Sequence, residues 1–248
     1  MKFLIPILVL VCVFACTTEP TDTEADTPTE TPYVLREHPD SDPAAIGIAR
    51  QVEAAMGGRE SYDALPVLQF TFFGRRTLTW DKHQNRVRIE VPEAKTVYDL
   101  NIGTGAAETT VNDTLITAAE QQRAKSLEAM NIFINDTYWL VMPWKLRDPS
   151  VILKKLDDRV ATDSTTAAHV LELTFTDNAG MTPQNKYHVF VDPVTKLVSE
   201  WHFFPTAADA EPRLMNGWAD YRDHRGVLLS GDRSPVGQLT DIAVLDAL

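Results

Sequence analysis

Cysteine is almost missing from this chain of 248 residues: only Cys12 and Cys16 occur. That excludes a disulfide framework and the cysteine clusters that hold zinc. Long apolar runs are missing too. The extended one, residues 3–14, is too short to cross a bilayer, which takes about 20 residues. Positive charge is scarce, since 23 Lys and Arg face 35 Asp and Glu for a net charge of −12. Nucleic-acid binding is thereby excluded for want of a basic stripe, as is electrostatic docking on anionic lipid. The motifs of catalysis are absent as well. There is no nucleophile elbow, no His-Glu-x-x-His, no phosphate loop and no dinucleotide fingerprint. Gly103-Thr104-Gly105 is a lone glycine pair at a turn. The expectation is a non-enzymatic protein with no cofactor and no resident metal.

What is present begins with Met1-Lys2 and the run 3–14, a charged start and a short apolar stretch laid out as a secretory signal. The run ends in Val13-Phe14-Ala15-Cys16, which resembles the lipobox of bacterial lipoproteins, where cleavage precedes a cysteine that is then acylated. The resemblance implies a signal peptide over 1–15, lipidation of Cys16 and membrane attachment through that anchor. Cysteine arithmetic agrees. Cys12 leaves with the signal, so Cys16 is the sole remaining thiol, and acylation gives it a use. Thr17 after the cysteine, rather than Asp, points by analogy with lipoprotein sorting to the outer membrane, facing the periplasm. The residues 17–32 are Thr, Pro, Ala, Asp and Glu only, with five acids and no base. Such a segment buries too little to offset the entropy of ordering, so 16–32 reads as a lipidated cysteine and disordered tether. The remaining 33–248 is one domain by length, with a net charge of −8.

Within that domain Asp42-Pro43 opens a helix over 43–56, with Ile46, Ala49, Val52 and Met56 on one stripe and Gly57-Gly58 as its stop. Strand alternation follows through Phe70 and Phe72, then Val87 and Ile89, in a meander that reaches residue 111. Thr117 and Glu120 form a capping box for a helix over 118–134. Asn135-Asp136-Thr137 is expected to re-cap the chain into a short aromatic turn, 138–141. Then comes the irregular run Met142-Pro143-Trp144-Lys145-Leu146, and alternation resumes from Val151 to the C-terminus. The fold class is mainly β with α. About eleven strands form a strongly curved antiparallel sheet, an unclosed barrel with two helices over its concave face.

Several pieces together are similar to a family of exported bacterial lipoproteins of unassigned function. They include Trp80-Asp81, Tyr138-Trp139-Leu140, the run 142–151 (MPWKLRDPSV), Gly180-Met181-Thr182-Pro183 and Trp218-Ala219-Asp220-Tyr221. That family looks distantly similar to the periplasmic lipoprotein carriers and outer-membrane receptors of the sorting pathway. The resemblance implies an unclosed β-barrel with helices as a lid over an apolar cavity. The basic contact those carriers make to their lid has no identifiable counterpart in this sequence.

The candidate ligand-binding residues are Tyr138, Trp139, Met142, Trp144 and Trp201, taken to close one end of an apolar cavity. Their partner would be a lipid or the acyl chain of a lipoprotein. The competing expectation is a structural or protein-interaction module with a packed interior, presenting Trp144-Lys145-Leu146-Arg147 to a protein partner. A metal set needs the hairpin at Asp192-Pro193: pairing Val191 with Leu197 and Tyr187 with Trp201 sets His188 opposite Glu200 with His202 diagonal. A half-exposed His-Glu contact is the favoured reading there, and no metal is expected. Asp157-Asp158 and Asp220 with Asp223 read as solvated loop acids. Gly180-Met181-Thr182-Pro183 reads as a long-loop turn, with a cavity mouth as the alternative.

Overall fold

The computed structural model describes residues 37–162, 164–176 and 180–248. The signal sequence, Cys16 and the tether lie outside the described residues.

The first helix, α1 (Pro43–Ala55), starts where local chemistry says it must. Asp42 accepts a hydrogen bond from the Ala44 N–H at 3.0 Å, and Pro43 occupies the first turn, where no donor is needed. It ends at Gly57, at φ 111°, where a Cβ would lie 2.0 Å from the Gly226 carbonyl oxygen, so only glycine fits. A short helix, α2 (Arg59–Ala64), follows.

Strands β1 (Val67–Phe72), β2 (Arg76–Asp81), β3 (Arg86–Val91), β4 (Thr96–Asn101), β5 (Ala107–Val111) and β6 (Thr114–Leu115) form an antiparallel meander. Helix α3 (Ala119–Val141) and a 3-10 turn (Met142–Lys145) come next. The second set is β7 (Val151–Val160), β8 (Ala167–Phe175), β9 (Lys186–Val191), β10 (Val198–Phe204) and β11 (Leu214–Gly217). Finally β12 (Ala219–His224), β13 (Val227–Arg233) and β14 (Gly237–Leu245) return to the first set, with β14 pairing against β1. The result is mainly β, with two unclosed sheets: nine strands in the order β12-β13-β14-β1-β2-β3-β4-β5-β6, and five in the order β11-β10-β9-β8-β7. Two sheets replace the expected single curved one, and fourteen described strands the expected eleven or so. Much of the excess comes from two-residue β6 and from Trp218, which alone separates β11 from β12 and so carries the chain from one sheet to the other. Trp218 is buried there, and the Arg233 guanidinium stacks 3.4 Å from its ring centroid.

Both sheets, α1 and α3 share one core. Leu68, Phe70, Leu78 and Ile89 meet Leu153, Leu171, Val189 and Trp201 in it. Burying such side chains contributes about 1.5–3 kcal/mol each.

Two expectations about α3 are corrected. Its N-cap is Ala118 with no side-chain hydrogen bond, so the Thr117–Glu120 box does not cap it. The helix also does not stop at Asn135. Asp136, fully buried, receives Arg76 of β2 in a bidentate pair at 2.8 and 2.9 Å, and the Thr137 hydroxyl donates to the Phe133 carbonyl. Residues that cap helices in isolation are satisfied here within one, so α3 runs unbroken to Val141. Its far end is held by Arg233, whose guanidinium donates twice to the Trp139 carbonyl, at 3.0 and 2.7 Å.

Strand β7 forms the edge of its sheet and is met by the start of α1. The Asp42 N–H donates to the Leu153 carbonyl at 2.8 Å, the Leu153 N–H donates to Ser41 Oγ at 3.1 Å, and the Lys155 N–H to Asp42 Oδ2 at 3.3 Å. One aspartate thus serves both a helix cap and a strand edge.

Candidate functional site: an apolar cleft beside helix α3

The C-terminal half of α3 presents Phe133, Ile134, Tyr138 and Val141 on successive turns. Across from them stand Val151 at the start of β7, Phe175 at the end of β8 and Tyr187 in β9, with Trp80 and Ile102 from the nine-stranded sheet. Between these walls lies a cleft of about 430 Å³. Ser150 and Thr182 mark its polar margin, as do Lys145 and Asp148, which pair at 2.7 Å. Gly180, Met181 and Thr182 line the cleft, with Met181 exposed, and the Asn185 N–H donates to the Thr182 carbonyl at 3.1 Å, so the loop is a turn set beside the cleft.

Tyr138 is the central residue of the wall. Its ring lies 5.7 Å from that of Tyr187 and 5.9 Å from that of Trp201. Its hydroxyl is buried, and no group among the described residues pairs with it. Burial, then the neighbouring Tyr187 and Asp148, raises its pKa well above the usual tyrosine value, so the oxygen keeps its proton. Tyr187 is raised as well, again first by burial, with a weak hydrogen bond from Asn185 acting the other way.

The other sequence candidates lie behind this wall. Trp201, 2% exposed, stacks on Tyr187 at 4.9 Å and donates its indole N–H to Asn216. Trp139 wedges between Phe73 and Trp201, with ring centroids at 5.2 and 4.9 Å. Met142 is fully buried, and Trp144 stacks on Tyr62 at 4.5 Å with a 9° tilt. Neither lines the cleft. Their run is clamped in place: Arg59 donates to the Trp144 carbonyl and to Glu53, while Arg147 pairs with Glu53 and Glu37. Of the five candidates, the cleft wall takes Tyr138 alone, with Trp201 in the layer behind it. Phe133, Val141, Phe175 and Tyr187 complete the wall. Phe133 and Val141 became legible only once α3 proved continuous.

The histidine cluster is on the opposite face of the five-stranded sheet. The expected hairpin register is corrected there. The hairpin pairs Val191 with Val198 rather than Leu197, a shift of one residue, and a bulge between Val198 and Glu200 adds a second, which sets Tyr187 opposite Phe203 and His188 opposite His202, not Glu200. Each imidazole has its own acid: His202 Nε2 lies 2.5 Å from Glu200 Oε1, and His188 Nε2 lies 3.6 Å from Glu172 Oε2. Arg159 sits 3.1 Å from His188 Nδ1. Among the described residues no group of three or more His, Cys, Asp or Glu is arranged to hold a metal ion. Asp157 and Asp158 lie within β7, and Asp220 and Asp223 within β12, not in loops; Asp158 pairs with Lys155 and His169, and Asp220 with Arg222, as surface contacts.

Among the described residues no helix is long and apolar enough to cross a membrane. No protein-family model matches the chain, and no curated protein is significantly similar to it.

Proposed function

We propose that this protein is a non-enzymatic lipoprotein of the bacterial envelope, held to the outer membrane by acylated Cys16 and facing the periplasm. Its folded domain, on this reading, is a half-barrel that takes an apolar ligand, a lipid or an acylated protein's chain, into the cleft beside α3. The observation that carries the reading is the cleft itself. At about 430 Å³ it falls within the ~300–1,000 Å³ typical of small-ligand sites, and its walls are mostly aromatic and aliphatic. Each methylene buried there would gain about 0.8 kcal/mol, so a modest length of chain offsets the cost of association.

Native mass spectrometry of the purified full-length protein tests this. A co-purifying lipid mass, displaced by a fluorescent acyl probe, is the expected result. A protein that carries no lipid and takes up no probe would exclude the reading.

The second reading, a structural or interaction module with a packed interior, is favoured by one observation: Met142, Trp144 and Trp201 are all buried. In that case Trp144 and Leu146 are core residues. The run 144–147 then offers a partner little beyond Lys145, since Arg147 is tied to Glu37 and Glu53.

A further inference from the structure

Ala119, Arg123, Leu127, Met130, Ile134 and Tyr138 follow one another along α3 at intervals of three or four residues, so they share one face of the helix. Ile134 and Tyr138 line the cleft. The four before them line a second opening, an exposed groove of about 800 Å³ between the N-terminal half of α3 and the start of β5. Gly105, Ala107 and Leu115 complete its apolar lining. Solvent reaches it freely, since Leu127 is 58% and Leu115 44% exposed. Groove and cleft lie end to end. Met130 belongs to the first and Ile134 to the second, about 6 Å apart along the helix axis. Likewise, in the turn between β4 and β5, Thr104 lines the groove and Ile102 the cleft. A Cβ on Gly105 would meet the Met130 methyl at 3.9 Å, so turn and helix approach each other at the divide.

A single acyl chain laid in the cleft leaves this groove bare. A protein partner is a poor match for it. Of the groove residues only Leu115 and Leu127 are large, apolar and exposed, far short of the ~800 Å² per partner that a stable interface buries. A second hydrocarbon chain is narrow and apolar along its length, and a glycerol with esters on neighbouring carbons spans the short divide. Resting on the cleft as a ligand site, we propose that the groove takes the second chain of the same ligand. The ligand is then a diacylglyceryl lipid that straddles the turn from Met130 to Ile134, with its head in water. Leu115 and Leu127 are specificity-determining residues that set the preference for two chains over one. The charged residues of the groove, Arg123 and Glu108, are exposed and opposite in sign, so the groove itself sets no preference for the charge of the head.

The test measures displacement of a fluorescent single-chain probe from the full-length protein by phosphatidylcholine and by lysophosphatidylcholine, with short matched chains used below their micelle concentrations. Wild type should bind the two-chain lipid at least about tenfold more tightly, since the second chain buries several more methylenes. Leu127→Glu should abolish that advantage and leave the single-chain lipid unchanged, and Leu115→Thr should act in the same direction. Both positions are exposed, so the variants should melt with wild type. A diacylglyceryl lipopeptide as a third competitor separates the sources: tighter than the phospholipid it assigns a lipoprotein, weaker a membrane lipid, and either ranking keeps the two-chain assignment. Loss of both lipids alike in Leu127→Glu, or of neither, overturns the groove's role. A wild-type dimer in light scattering that Leu127→Glu dissociates would give the groove to a second copy of the chain and overturn it as well. If wild type binds the single-chain lipid and gains nothing from a second chain, the inference fails while the cleft remains a ligand site. If it binds neither lipid nor probe, the ligand site itself is excluded.

Discussion

An imidazole between a guanidinium and a carboxylate titrates by the balance of the two and by how much water reaches it. At His188 burial comes first and Arg159 adds to it. Together they outweigh Glu172 and bring the pKa from 6.5 down to about 4. The ring therefore stays neutral in the folded protein over a range where the unfolded chain already binds its proton. Stability contributed by the neutral ring is complete above pH ~6.5 and is lost as the pH falls toward about 4. Thermal melts at about pH 7 and about pH 4.5 check this. The wild-type melting temperature should drop further between the two than that of His188→Gln, and parallel drops would show that the ring is not the group responsible.

At the scale of elements, α3 is fastened to the nine-stranded sheet by one ion pair whose two halves are unequal. Asp136 is fully buried, while the Arg76 side chain is 23% exposed. Burial raises the Asp136 pKa despite Arg76 and Asn135, so its charged form is tolerated only because the guanidinium is there. Arg76→Ala should cost about 3–5 kcal/mol by leaving an uncompensated buried charge, and Asp136→Asn added to it should recover much of that loss. Urea unfolding of the single and double variants measures both. Because the folded state holds this proton more tightly than the unfolded chain, the Arg76→Ala protein should become more stable as the pH falls through the raised value toward the ordinary aspartate value, and a loss over that window would contradict the assignment. The same pair shows why the sequence was readable in places and misleading in others. Helix α1 is bounded by neighbours in the chain, Asp42-Pro43 before it and Gly57 after it, and strands β1 to β4 alternate visibly; all were legible. Asn135-Asp136-Thr137 has the local chemistry of a cap, but the partner that overrides it is 60 residues away. The β9–β10 register was misread by two residues, one from a hairpin that pairs Val191 with Val198 and one from a bulge that leaves no mark in the apolar pattern. Tyr138 could be found from the aromatic block, yet nothing local says that Trp144 turns away from the cleft toward Tyr62.

For the whole molecule the proposed attachment has a direct consequence. A single acyl chain holds a protein only marginally, whereas two or more hold it stably, and the domain, at −8 over residues 33–248, adds no attraction to anionic lipid. Cys16→Ser should therefore leave the membrane fraction on cell fractionation. A protein that stays membrane-bound with its signal removed would contradict the anchor.

Proteins tethered to one surface meet one another far more often than the same number of molecules free in solution. For a chain of fourteen described strands in two unclosed sheets, each open border is a template on which another copy could build. The border at β7 is closed to that use. Ser41 and Asp42 already occupy the backbone groups of its first half, and Asp157, Asp158 and Arg159 crowd its second half with charge. The aspartate that starts the first helix thus also guards against fibre growth, so replacing it would trade a lost helix cap for a sticky rim.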